Sequence, residues 1–225
     1  MEVDRFLFIK AFVITVIIFL SVYSLNLYLN SERERVLDER MSEIIVEFEE
    51  FQALSALMRV YGRNATCLTL RSRMKHLDKR IWELGEKIDK YRELSKEYMD
   101  DPYYQEQKEK FNRQEVIYLA LLKQMKTDCK INQTEILYFY RKSEDCPDCD
   151  AQAYVLDYFN RLINQEVAIF SFDADMQMAS VQTLIDIHNI TSYPCVVVEG
   201  QSYCGMRDRV EMEKIFCSKA SLSIC

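Results

Sequence analysis

The sequence predicts three parts in order: a membrane-spanning helix over residues 1–30, a helical hairpin or coiled-coil stalk over 31–130, and a small α/β domain over 131–225. Three observations carry this expectation. An uncharged run extends from Ala11 to Ser31, the chain holds only four Gly and three Pro, and its composition changes near residue 130. So few backbone breakers favour long helices and disfavour a loop-rich all-β fold, which needs Gly in its turns. Residues 1–130 carry 22 Lys and Arg against 22 Asp and Glu, whereas residues 131–225 carry 7 against 14. The whole formal charge of −7 therefore lies in the last 95 residues, together with six of the eight cysteines. An acidic chain of this kind excludes nucleic acid as a partner, because phosphates call for a basic surface.

The first element is the apolar run. Residues Phe6 to Leu29 contain one charge, Lys10, and the uncharged stretch meets the ~20 residues that a helix needs to cross the hydrocarbon core. Lys10 can reach back to the headgroups, and Tyr23 and Tyr28 suit the opposite interface. A cleaved signal peptide fits less well, since its apolar core is only ~7–15 residues and is followed by a small-residue cleavage site. Arg5 and Lys10 precede the run, and Arg33, Arg35 and Arg40 follow it among acids; the positive-inside count leans slightly against export of the rest. Eight cysteines, an even number, and three Asn-x-Thr sequons at Asn64, Asn132 and Asn189 point the other way. The expected arrangement is a single-pass membrane protein with its C-terminal domain outside the cytoplasm.

The second element is helical. Leu37, Met41, Ile44, Phe48, Phe51 and Met58 recur at spacings of four and three, with Ser55 in one apolar slot. A second seam runs Met74, Leu77, Ile81, Leu84, Ile88, Tyr91 and Tyr98. Both are heptad-like. Gly62 to Asn64 and Asp100–Asp101–Pro102 break these helices, and a third runs from Tyr103 to Lys126. An antiparallel hairpin acting as a spacer is the plain expectation, and a homodimer or partner surface on the stalk is the sharper one. Folding back near residue 100 brings Cys67 and Cys129 to the same end, so they are expected to pair. Trp82, the only tryptophan, is expected to pack in this part, where His76 also lies.

The third element changes period. Glu135–Tyr140 and Val167–Phe172 are short apolar runs that read as buried strands. Helical patterns follow each, the second ending near His188, and Cys195–Val198, a tight connection at Gly200, Ser202–Gly205 and a helix over Val210–Phe216 complete the order β-α-β-α-β-β-α. Cys146-Pro147-Asp148-Cys149 stands at the first strand-to-helix junction, and Pro194 opens the third strand. Cys217 and Cys225 are placed to form a terminal disulfide. Cys195 and Cys204 read as core thiols or as a cross-strand disulfide. A zinc site using Cys146, Cys149, Cys195 and Cys204 is the competing chemistry for a C-x-x-C, but no metal and no cofactor are expected.

That order, the placement of Cys146 and Cys149, and the stretch from Asn189 to Gly205 resemble the thioredoxin superfamily over about 95 of the 225 residues. The resemblance implies an α/β thioredoxin-like domain in which Cys146 is an exposed nucleophile at a helix N-terminus, where unpaired N–H groups stabilise a thiolate. Cys149 would be the buried resolving thiol. Pro194, after a cis peptide bond, and Tyr193 would lie beside the pair, and with Pro147 and Asp148 they would bind an extended substrate. The chain departs from the family pattern at two positions: Asp145 stands where relatives carry Trp, and Tyr140 stands where they carry a buried Asp. Glu144, Asp145, Asp148 and Asp150 surround the pair with negative charge that opposes a thiolate. The implied activity is thiol–disulfide exchange on exported proteins, with a redox partner that recharges the pair. A non-catalytic peptide-binding or assembly module with a structural disulfide is the alternative.

Overall fold

The computed structural model describes residues 5–94, 101–142 and 144–225. Tyr98 and Asp100, and the side chains of Asn64 and Tyr91, lie outside the described residues. Helix dominates: α1 (Arg5–Tyr61), α2 (Arg63–Leu94) and α3 (Pro102–Cys129) run 57, 32 and 28 residues before the first strand begins. They are followed by β1 (Thr134–Tyr140), α4 (Cys149–Ile163), β2 (Val167–Asp173), a 3-10 turn at Ala174–Met176, α5 (Ala179–Ile187), β3 (Cys195–Val198), β4 (Gln201–Cys204) and α6 (Arg209–Lys219).

The membrane-length segment and the first heptad seam belong to one uninterrupted helix. Side chains from Phe8 to Leu29 are exposed along α1, and this part is long and apolar enough to cross a membrane. From Leu37 onward one stripe of α1 is buried: Leu37, Met41, Ile44, Phe48, Phe51, Ser55 and Met58 are each 5% exposed or less. It meets Leu70, Met74, Leu77, Ile81, Leu84 and Ile88 of α2 in the same core cluster. Arg80 of α2 pairs with Glu43 and Glu47 of α1 beside that seam. Gly62, with a φ of 92°, makes the turn between the helices, a region of backbone space that glycine enters without steric cost.

The third helix is buried on more than one face. Tyr104, Phe111, Tyr118, Leu122 and Met125 are joined in the interior by Gln107, Lys108, Asn112, Gln114 and Glu115. One side of α3 packs on α1: Tyr103 Oη donates to Glu34 O (2.8 Å), Gln107 Nε2 donates to Asp38 Oδ1 (2.7 Å), and the rings of Phe48 and Tyr118 meet at a tilt with centroids 6.2 Å apart. Another side packs on the sheet. Tyr118 lies 5.3 Å from Phe170 of β2, and Glu115 Oε1 accepts from Ser171 N–H (2.7 Å) on the open edge of that strand. With its amide turned so that both oxygen and nitrogen find partners, Asn112 donates to Glu115 Oε2 and to Ser171 O, both at 3.2 Å. Side chains of α3 thus take up the edge hydrogen bonds that would otherwise invite another strand.

The sheet is small and mixed, in the order β2-β1-β3-β4, with β1 parallel to β2 and β3 antiparallel to both β1 and β4. Alternation divides its side chains. Leu137, Phe139, Phe170, Phe172 and Val197 join the core of α1–α3 and α5, whereas Ile136, Tyr138, Val196 and Val198 meet α4 and α6.

The expected fold class, an α/β thioredoxin-like domain behind an anchor and a hairpin stalk, is corrected by this architecture. The described residues form a mainly helical molecule, with six α-helices around a four-stranded sheet. Helices α1–α3 are not a spacer: one continuous core runs from Leu37 of α1 to Val197 of β3. The physical reason is α3, whose second buried face covers the sheet. The seams considered for a homodimer, on α1 and α2, pack against each other within the chain.

Candidate functional site

Cys146 and Cys149 are joined as a disulfide just beyond the C-terminal end of β1. The connection is a pair of tight turns. Asp145 N–H and Cys146 N–H both donate to Lys142 O (3.0 and 2.9 Å), and Cys149 N–H donates back to Cys146 O (3.1 Å). Lys142 N–H donates to Asp175 Oδ2 (2.9 Å), which ties the loop to the segment after β2. Helix α4 starts at Cys149 itself, with Asp148 as a cap that makes no side-chain bond. Cys146 therefore precedes the helix by one turn, and does not occupy its N-terminus as expected. Its exposure is also corrected: Cys146 and Cys149 are each only 2% exposed, while Glu144, Asp145, Pro147 and Asp148 around them are open to solvent.

Pro194 reaches the same end of the sheet through register. Cys195 pairs with Phe139, so Pro194 stands across from Tyr140, after a cis Tyr193–Pro194 peptide bond. Pro194 is buried and its carbonyl accepts from Gly205 N–H (2.8 Å). Tyr193 is half-exposed, and the Arg141 guanidinium lies 4.9 Å from its ring centroid. Beneath the cysteines, Tyr138 Oη donates to Cys149 O (2.5 Å), and Tyr138 stacks on Tyr140 at 5.4 Å. One turn into α4, the buried Gln152 accepts the Arg207 N–H (2.8 Å) and so holds the segment after β4 against the site.

Sequence reasoning missed the polar group that α3 brings to this end. Lys108 is 4% exposed, its ammonium 5.3 Å from the Tyr140 ring centroid, 5.7 Å from that of Phe111 and 3.9 Å from Asp89 Oδ1. Burial pushes the Tyr140 phenol well above its ordinary range, against the pull of Lys108. Burial likewise raises the Asp173 carboxyl, which Lys108 again opposes. Farther along α3, burial pushes Glu115 up to about 8 and, on α2, Asp78 up to about 7. The only signal for this cluster was the run of polar residues inside a helix that had to be buried somewhere. A cavity of about 280 Å³ between α2 and α4 is lined by Glu115, Phe111, Trp82, Tyr138 and Asp150, and thus backs onto the cysteine pair. Trp82 is half-exposed there rather than packed away.

The other six cysteines are paired as well. Cys67–Cys129 closes the far end of α2 and α3, Cys217–Cys225 closes the C-terminus, and Cys195–Cys204 crosses directly opposed positions on β3 and β4. The four cysteines weighed as a zinc site are thus divided between two disulfides. No group of three or more potential metal ligands occurs among the described residues.

No family model matches the chain, and no curated protein is similar to it. A solved structure described as that of a malarial protein is similar over 40% of this chain and 100% of its own, at 15% identity and a TM-score of 0.35. So low a score carries no argument about fold or function, and none of these comparisons points to the thioredoxin superfamily.

Proposed function

We propose that this chain is a thiol–disulfide exchange protein anchored in a membrane by residues 8–31, with the remainder on the oxidising side. The observation that carries this reading is the Cys146–Cys149 pair on a turn between β1 and α4, with Pro194 and Tyr193 at the same end of the sheet. Four disulfides and no free cysteine accord with an oxidising compartment. A substrate thiolate attacks Cys146 Sγ and displaces the Cys149 thiolate, giving a mixed disulfide. The second substrate thiolate then attacks the substrate sulfur of that mixed disulfide, which forms the substrate disulfide and releases the Cys146 thiolate. The substrate loses two electrons and two protons, and the pair gains them. The acidic residues 144, 145 and 148 favour substrates with basic surroundings, through encounter rather than affinity.

One observation favours a second reading. Cys146 is nearly inaccessible in the oxidised pair, as suits a structural clasp in a binding module. The reduction potential separates the two. A value between about −120 and −200 mV supports disulfide donation or isomerisation, whereas a pair still oxidised below about −300 mV is structural. In the exchange reading Cys146→Ser abolishes turnover and Cys149→Ser accumulates mixed disulfides. Wild-type activity in both variants overturns it.

A further inference from the structure

The direction of each element fixes where the cysteine pair lies relative to the apolar segment of α1. Helix α3 runs the same way as α1, since Tyr103, Gln107, Tyr118 and Cys129 meet Glu34, Asp38, Phe48 and Met58 in that order. Both helices therefore lead away from the apolar segment. Strand β1 then returns. Its first residues lie beside the far end of α3, where Lys123 Nζ is 2.5 Å from Glu135 Oε1, and its last residue, Tyr140, lies over Lys108. The β3–β4 turn agrees with this polarity, because Glu199 pairs with Lys126 at the far end (2.6 Å).

The C-terminal end of β1, and with it the turn bearing Cys146 and Cys149, therefore faces back toward the apolar segment. The height comes from the helix rise. Gln107 meets Asp38, and its neighbour Lys108 meets Tyr140, so Tyr140 stands near the level of Asp38. Asp38 is seven residues past Ser31, the last residue of the uncharged run, which is about 10 Å at 1.5 Å per residue. The interfacial layer on each side of a bilayer is itself about 5–8 Å deep. The redox turn thus lies directly above the headgroups, aimed at the bilayer.

Resting on the exchange reading, we infer that the partner of Cys146–Cys149 is an integral membrane protein whose reactive cysteines lie at headgroup level on the same side. A soluble exported client would have to enter the narrow space between the turn and the lipid, whereas cysteines just outside a neighbouring span meet the pair at its own height. The membrane partner's dithiol is the reductant and the Cys146–Cys149 disulfide the oxidant: two electrons and two protons pass from the one to the other.

The test uses the full chain in phosphatidylcholine vesicles and two synthetic probes. Each probe is an apolar membrane-spanning peptide bearing a reduced Cys-Gly-Gly-Cys, either immediately outside the span or on an eight-proline spacer about 25 Å farther out. Wild type oxidises the near probe about tenfold faster than the far one, because tethering raises effective concentration only where geometry permits contact. Inserting fourteen helix-forming residues between Ser31 and Glu32 lifts the pair by about 21 Å and keeps the heptad phase. That variant loses or reverses the preference, while its oxidation of dithiothreitol stays within about twofold of wild type. Equal rates for the two probes in wild type overturn the inference, as does a preference that survives the insertion. Failure to oxidise either probe or dithiothreitol instead removes the exchange reading itself, and the inference with it.

Discussion

Glu115 is the most informative single position for testing the packing of α3 on the sheet. Its side chain is 2% exposed and accepts the Ser171 N–H at the edge of β2. Burial pushes its carboxyl up from 4.5 to about 8, with the Ser171 hydrogen bond and the Lys108 ammonium pulling downward and the Asp89 charge adding to the rise. A folded-state value above the unfolded one means that the native protein holds a proton the unfolded chain has released. The associated stability is complete below about pH 4.5, falls as pH rises, and is gone above about pH 8. At roughly 1.4 kcal/mol per unit, the loss between pH 5 and 7.5 is about 3 kcal/mol, as an order of magnitude. Asp78, raised from 3.8 to about 7 by burial, adds a loss of the same sign over a lower window. Glu115→Gln keeps an oxygen for Ser171 N–H and cannot ionise. It should therefore match wild type near pH 5, exceed it at pH 7.5, and show a shallower decline. Trp82 lines the same cavity as Glu115 and is the sole tryptophan, so its fluorescence reports unfolding in detergent at each pH. A decline equally steep in wild type and variant would refute the argument, as would wild-type stability that rises over this range.

Other substitutions probe other supports. Replacing Cys67 and Cys129 together by Ser removes a link closing a 62-residue separation, and should cost about 4 kcal/mol in chemical unfolding by the loop-entropy relation. Tyr138→Phe deletes the hydroxyl that bonds Cys149 O in the interior, and should cost about 0.5–1.5 kcal/mol, since that carbonyl, at the first position of α4, keeps its helical partner. Its Cys146–Cys149 pair should remain able to form, as peptide mapping without reductant would show; a variant as stable as wild type would mean that the hydroxyl bond contributes nothing net.

The heptad seams of α1 and α2 were legible because each helix buries one stripe of apolar residues and exposes the rest. Folding back near residue 100 was enough to place Cys67 beside Cys129. Helix α3 was not legible in the same way. Its face toward the sheet contains Lys108, Asn112 and Glu115, which a hydrophobic pattern reads as solvent-facing. These residues are buried because they answer specific groups, the Ser171 edge hydrogen bonds and the aromatic ring of Tyr140. Nothing local in the sequence announces such partners. The same gap explains the corrected fold class: without the second face of α3, residues 31–130 read as a stalk and the sheet as a separate α/β domain. At the site, the spacing of Cys146 and Cys149 was visible, but the shelter of Cys146 depends on how the turn at 142–149 folds back on Lys142 O.

That difference changes what the helices do. A spacer would hold the cysteine pair away from the apolar segment of α1, and its length would set the distance. In this fold α1 leads away from its apolar segment beyond Glu32, α2 returns and α3 leads away again. Strand β1 must then start at the far end, where Cys129 sits beside Met58, and run inward. Because β2 is parallel to β1, both strands end on the inward side, and the turn after β1 carries Cys146 and Cys149 there. An even number of helical passes before β1 would have pointed the same turn outward. The three passes place it toward the apolar segment of α1, and the helices between Glu32 and Cys129 thus set the orientation of the turn rather than its reach.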